Sequence, residues 1–573
     1  MLARRVLTIA LLLSAASCRN APPSTAGSLT VTSGSARHAI VVAANPLAVQ
    51  AGLKVLQAGG SAADAAVAVQ SVLGLVEPQS SGIGGGAFIT YYDAATRKVT
   101  AYNGREIAPA GASPDMFLDA AGQPLSFPTA VLSGRSTGVP GAIAALALLQ
   151  QDHGRMAWRE LFADAERLAT DGFIVSPRLA GMITSRAPQT GAADVVRYFS
   201  KADGSRYVAG DTLKNAAYAA TVHELAQQGA QALYHGHLAA DIVQRVHEGE
   251  LAGSLSLQDF GRYRALKSDA LCRPWQRYVV CTPPLPSGGV AVLQALLLLA
   301  DTDIASRSAS DPIAWVELGE AERLMYADRD RYIGDPNFVT VPLDGLLDAG
   351  YVRSRASLIG TQIAANAPGP GNPPGAGAVG PDHTVEPGGT SQVVIVDSHG
   401  NVVSMTTTVE SIFGSGRMVD GFFLNNQLTD FSFSPRDPSG ASAANAVAPG
   451  KRPRSAMSPT IVLDQDGRFV ASAGSAGGPA IISYILKTLI GTLDWHMSIQ
   501  SAIALPNLVA HGPQFTAETS KFAPELLQQL NERGLNLHPG QFEESGLQGV
   551  ARRADGEFEG GTDPRREGVA LGF

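Results

Sequence analysis

Cysteine is scarce, with three in 573 residues. A disulfide scaffold and a cysteine-rich metal centre are therefore both excluded. Aromatic residues make up 6% of the chain and charged residues 16%. Lysine and arginine form short pairs and no stripe, so the electrostatic footprint of a nucleic-acid binder is missing. The formal net charge of −8 favours solubility and says little about a substrate. No apolar run is long enough to span a bilayer; the longest helical one, Val290 to Leu299, reads as core. There is no internal repeat and no Gly-x-Ser-x-Gly elbow, which disfavours an α/β-type serine hydrolase. His235-Gly236-His237 has no third ligand nearby and reads as a solvated loop, so no metal is expected. Gly82 to Ala87 matches a dinucleotide fingerprint, but a helix precedes it and a strand follows, the reverse of what phosphate cradling needs.

What is present is enough apolar material, 45% of the chain, for a sizeable core in one large domain or several smaller ones. Arg4 and Arg5 precede a short apolar stretch, Val6 to Leu13, and then small residues ending at Cys18. That pattern predicts an export signal over residues 1–18. Cys18 also suits a lipid anchor, although Ala15 stands where a lipobox usually has Leu. Residues 19–36 read as a polar tether. Cys272 and Cys281 lie symmetrically about a turn, and a disulfide and two buried thiols are both open readings.

The fold begins with an apolar strand at 39–44. Helices follow at Pro46–Ala58 and from Ser61, paired with Asp64 as a cap, to about Val76. Strands are expected at Phe88–Tyr92 and Lys98–Tyr102, a mainly helical region over 140–225, and an amphipathic helix over Ala314–Ile333. Residues 366–389, rich in Gly, Pro and Ala, read as a flexible linker. The periodicity then switches to two. Ser391–Val396 and Val402–Val409 form a hairpin about the turn Asp397–Asn401, and Thr390 stands at its mouth.

A threonine hydroxyl is a weak nucleophile without a base beside it, and a freed α-amine of the same residue can be that base. Cleavage between Gly389 and Thr390 would free it. Taken alone, Thr390 is an ordinary strand-start threonine; the wider pattern changes that. Gly388 to Thr408, Phe413-Gly414-Ser415-Gly416, Leu424-Asn425-Asn426-Gln427, Asp430-Phe431-Ser432, Lys451 to Thr460 and Gly474 to Gly478 resemble, in order, the blocks of the γ-glutamyltransferase family. So do Glu77 to Gly86, Gly104 to Pro109 and Asp563-Pro564-Arg565-Arg566, and the resemblance runs over about residues 39–573.

The resemblance implies an α+β fold, the four-layer αββα sandwich of the N-terminal nucleophile hydrolases. It implies a precursor that cuts itself into a large subunit, 37–389, and a small subunit, 390–573, which stay together. It assigns Thr390 as nucleophile, Thr408 as its hydrogen-bond partner, and the N–H groups of Gly477 and Gly478 as the oxyanion hole. It gives Arg105 and Ser455 to the donor's α-carboxylate, and Glu410, Gln427 and Asp430 to its α-ammonium. The expected substrates are γ-glutamyl donors such as glutathione, with water, amino acids or peptides as acceptors. No metal or organic cofactor is implied, and a membrane would be met only through a lipid anchor. Three departures stand out. Ala456 replaces a serine common in the family, Glu410 stands where many members have Asn, and the lid stretch 433–444 is short and has neither Tyr nor Trp. The last of these predicts a more open donor pocket. A cephalosporin or glutaryl acylase of the same fold, and a catalytically silent exported binding lipoprotein, are the alternatives.

Overall fold

A computed structural model describes residues 33–380, 382, 384, 386, 388–437, 440–540 and 545–573. The expectations for residues 1–18, Cys18 included, lie outside the described residues. Two seven-stranded antiparallel sheets form the centre. One runs, in spatial order, Val569–Gly572, Ile40–Ala43, Thr390–Val396, Val402–Thr408, Gly86–Asp93, Lys98–Gly104 and Leu266–Asp269. The other runs Ser33–Ala36, Phe558–Thr562, Gln548–Arg552, Phe469–Gly474, Thr460–Asp464, Tyr278–Thr282 and Leu271–Trp275.

The central strands have no polar alternation because both of their faces are buried. Side chains of period two are sorted into two cores. Val41, Ala43, Val393, Ile395, Val403 and Met405 face the helices Pro46–Gln57, Ala62–Val76 and Ala142–His153. Ile40, Val42, Val394, Val396 and Val402 face Ile461, Leu463, Phe469 and Val550 of the second sheet. That sheet's far side packs on Gly289–Ala300, Pro312–Tyr332 and Ile481–Leu493. The layers are thus helix, sheet, sheet, helix. The capping box expected at Ser61 and Asp64 is formed, and the helix behind it is buried along its whole length.

Several expectations change. The last four tether residues, Ser33–Ala36, are an edge strand paired with Phe558–Gly561. The helix Pro312–Tyr332 is not amphipathic; Glu317, Glu320, Glu322, Arg323, Asp328 and Arg329 are all buried. Its charges are matched inside the protein, as by Arg323 on Glu320 at 2.6 Å and by the Ala510 N–H on Glu322 at 2.7 Å. The described part of 366–389 has no helix or strand, yet it is tied down: Arg355 donates to the Gly369 carbonyl at 2.8 Å, and Gly371 N–H to Asp328 at 2.7 Å. Its composition forbids regular structure, and the buried acids and arginines around it supply the order. Cys272 and Cys281 face each other across a hairpin and are disulfide-linked. His237 opens the helix His237–Val246 and groups with Asp241 and Asp420, where a loop was expected. Asp420 comes from far along the chain, so sequence spacing could not show it.

Candidate active site

The hairpin register places Thr390 directly opposite Thr408. Thr390 Oγ1 donates to Thr408 Oγ1 at 3.1 Å, and Thr408 Oγ1 donates onward to the Gly389 carbonyl oxygen at 2.7 Å. The Glu410 N–H donates to Thr408 Oγ1 at 2.8 Å, which fixes the direction of the relay. Thr408 therefore accepts from the hydroxyl that would attack and polarises the carbonyl that would be attacked. Gly389 lies against the backbone of Glu410 and Ser411, closer than any Cβ could stand. A residue larger than glycine would push the peptide bond away from the relay.

Arg566, to which the sequence assigned no role, donates from Nη1 to the Thr390 carbonyl at 2.9 Å and from Nε to the Ser545 carbonyl at 3.1 Å. Its guanidinium lies against Gly546, whose N–H donates to Ser475 Oγ at 3.2 Å. The C-terminal tail thereby ties the Thr390 strand to the loop that leads into Gly477 and Gly478. Both glycines have left-handed φ, 131° and 56°, and a Cβ on Gly477 would press on the Tyr484 ring. They sit at the amino end of the segment that becomes the helix Ile481–Leu493. Neither N–H donates to another described group.

The expected donor residues converge. Arg105 donates from Nη2 to Asp430 and to the Arg454 carbonyl, and from Nε to the Pro453 carbonyl. Gln427 Nε2 bridges Glu410 and Asp430. Asn425 and Asn426 hold this loop: Asn425 donates to the carbonyls of Gly84 and Gly138, and Asn426 accepts the Ser411 N–H. Glu410 takes a left-handed φ of 83°, a strained conformation for a residue with a side chain. Ser455 Oγ accepts the Met457 N–H at 3.1 Å, and the Ala456 carbonyl lies against Gly288. Arg105 Nη1, Asp430 Oδ1 and Gln427 Oε1 are buried without a hydrogen-bond partner. Such groups collect where a ligand completes the network.

In this uncut chain the donor residues are all buried, contrary to the open pocket expected from the short lid. Phe433 stacks on Phe117 with ring centroids 4.6 Å apart, and Gly380 N–H donates to the Ser442 carbonyl, so the lid is held down from both ends. Arg105 is paired with Asp430 through Nη2, which leaves its Nη1 without a hydrogen-bond partner. Burial, the charge of Asp430 and their shared hydrogen bond push Glu410 well above the usual carboxylate range. Asp430 is also raised, by burial against the pull of Arg105. Burial pushes Glu106, 3.8 Å from Arg105, up to about 8.

The segment before Thr390 adds a cluster that the sequence did not suggest. Glu386 accepts from Arg329 Nη2 at 2.6 Å and from Arg454 Nη2 at 2.8 Å. Asp382 lies 3.2 Å from Arg454, and Asp330 3.7 Å from it.

With that geometry in place, the comparisons decide the kinship. The family model for gamma-glutamyltranspeptidase matches residues 48–573. The chain belongs to the γ-glutamyltranspeptidase family. It is 35% identical over 554 residues to the glutathione hydrolase proenzyme of Bacillus subtilis, covering 94% of this chain and 92% of that one. It is 33% identical to the glutathione hydrolase proenzyme of Escherichia coli, covering 92% and 91%. Among solved structures, a cephalosporin acylase from Bacillus halodurans superposes with a TM-score of 0.82 at 25% identity, covering 97% of this chain and 99% of that one. The fold of that acylase is therefore present across nearly the whole chain.

Proposed function

We propose that the protein is a self-processing γ-glutamyltransferase and glutathione hydrolase. The relay Thr390–Thr408–Gly389 is the observation that carries this reading, because it aligns an attacking hydroxyl with the peptide carbonyl beside it. In processing, Thr390 Oγ attacks the Gly389 carbonyl carbon, the Gly389–Thr390 C–N bond breaks, and the hydroxyl proton passes to the departing nitrogen. Water then hydrolyses the ester and leaves Thr390 with a free α-amine. In turnover the same oxygen attacks the γ-glutamyl amide carbonyl. The α-amine takes the hydroxyl proton and delivers it to the leaving amine. The Gly477 and Gly478 N–H groups hold the oxyanion. The acyl-threonine is resolved by water or by an amino acid or peptide amine. Arg105, Glu410, Gln427, Asp430 and Ser455 form the pocket for the charged head of the donor.

The export signal pattern, together with a disulfide of the kind that persists in oxidising compartments, supports an exported protein. No helix of the described residues is long and apolar enough to cross a membrane. The test is intact mass under denaturing conditions followed by a γ-glutamyl anilide assay. Two fragments, one starting at Thr390, with anilide turnover are expected; an uncut, inactive chain refutes the reading. The acylase likeness favours a second reading, glutaryl transfer. Faster turnover of a glutaryl than of a γ-glutamyl anilide would establish it.

A further inference from the structure

Five connections at one end of the two-sheet sandwich bring cations to the same place. Arg37 and His38 stand between the edge strand Ser33–Ala36 and Ile40–Ala43. Arg97 lies in the turn between Gly86–Asp93 and Lys98–Gly104, and His399 in the turn Asp397–Asn401. Arg468 lies between Thr460–Asp464 and Phe469–Gly474, and Arg552 ends Gln548–Arg552 before the turn into Phe558–Thr562. These six side chains line one open cavity of about 360 Å³, and no aspartate or glutamate lines it. Neighbours in sequence could not announce it, since each cation comes from a different turn.

The acids nearby do not cancel this charge. Arg37 pairs with Glu557 at 2.8 Å and Arg468 with Asp466 at 2.9 Å, through arginines that stay largely in solvent, where such pairs are worth little. Arg97 Nη1 donates to the Asp466 carbonyl at 2.8 Å, and neither Arg97 nor Arg552 meets a carboxylate among the described residues. A further guanidinium, Arg155, comes within 2.7 Å of the His399 ring. Arg97 also takes a left-handed φ of 57°, which favours glycine, so this turn keeps an arginine against its backbone preference. In a chain of net charge −8, such a concentration of positive charge is local.

The lining selects among anions. Guanidinium groups are planar forks that match phosphate oxygens, and several converging together suit a dianion better than a lone carboxylate. Thr390 opens the strand Thr390–Val396, and the turn bearing His399 closes it, so the cavity lies roughly 20 Å from Thr390. We propose that this cavity binds a phosphate group, carried by a free phosphoanion or by the headgroup of an anionic lipid. Its placement suits either source. Arg37 and His38 directly follow the stretch 19–36 read from the sequence as a tether, and a membrane held at this end leaves Thr390 at the other. The site is complete in the uncut chain and needs no processing.

The experiment uses the full chain at low ionic strength. Calorimetry reads the binding of inorganic pyrophosphate. Sedimentation compares phosphatidylglycerol with phosphatidylcholine vesicles, to which any acyl anchor at Cys18 contributes equally. Arg97→Gln combined with Arg552→Gln is expected to weaken pyrophosphate binding, or the preference for phosphatidylglycerol, by about tenfold or more. Arg353→Gln, at an exposed arginine outside the cavity, should change either by less than about twofold. Loss of pyrophosphate binding alone assigns a free anion, and loss of the vesicle preference, with or without it, assigns the lipid headgroup. Arg552→Gln by itself serves if the double variant does not fold, with a smaller loss in the same direction. Wild-type protein that neither binds pyrophosphate nor prefers phosphatidylglycerol overturns the site. So does binding that the folded variants retain, or an equal loss in Arg353→Gln.

Discussion

The Arg105 cluster and the Arg329–Arg454 cluster share a chemistry, buried guanidinium against buried carboxylate, but differ in who owns the acids. Asp430, Glu106 and Glu410 sit on elements of the finished fold. Glu386 and Asp382 sit on the stretch that leads into Thr390. One cluster draws its acids from loops and a one-turn helix of the two-sheet core, and the other from the irregular stretch just before Thr390.

The strongest way to break this contrast is Thr390→Ala. It removes the hydroxyl that attacks the Gly389 carbonyl, so the chain should stay whole, as read by denaturing mass, and anilide turnover should vanish. Asp430→Ala attacks the Arg105 cluster and removes the acid closest to that guanidinium, leaving the more distant Glu106. Removing one partner of a buried pair costs about 3–5 kcal/mol of folding stability, so the melting temperature should fall by several degrees, and kcat/KM for the γ-glutamyl anilide should fall with the loss of an expected ammonium partner. Arg566→Met touches neither cluster. Losing its charge-assisted bond to the Thr390 carbonyl, a matter of about 1.5–3 kcal/mol, should slow processing roughly tenfold or more while the mature enzyme keeps its donor order. A time course of fragment appearance reads this.

The smallest and sharpest effect is on pH. In uncut Thr390→Ala protein the two clusters should titrate with opposite signs. Glu106 is raised by burial from 4.5 to about 8, so its contribution is complete below 4.5 and lost as pH climbs through 8. Burial alone would also raise Glu386, but Arg329 and Arg454 outweigh it and hold it below the usual range. Its contribution is present above the ordinary carboxylate range and lost as pH falls. Melting temperature against pH should therefore droop at both ends. Glu106→Gln should flatten the alkaline arm and Glu386→Gln the acid arm; the same arm flattening in both variants would collapse the contrast.

Legibility followed distance along the chain. The turn Asp397–Asn401 made the hairpin legible, the family resemblance named Thr408 as the partner of Thr390, and the register sets the two directly opposite each other. The capping box at Ser61 and Asp64 was equally local. The charged residues of Pro312–Tyr332 misled, since charge on a helix usually marks a wet face and here each is met by a partner from elsewhere. Arg566 reaches the nucleophile across 176 positions, and Arg329 reaches Glu386 across 57, with no spacing rule to announce either.

By itself the sequence determined the main strands and helices, the threonine at the mouth of a hairpin and the family blocks, whose resemblance in turn implied the layered fold. These depend on periodicity, turn chemistry and local order, which are written in neighbouring residues. The tertiary structure alone decided which acid neutralises which arginine, that the expected donor residues are buried together, and that the C-terminal tail holds the Thr390 carbonyl. Those outcomes depend on which distant charges are driven out of water together, and burial, not spacing, sets that.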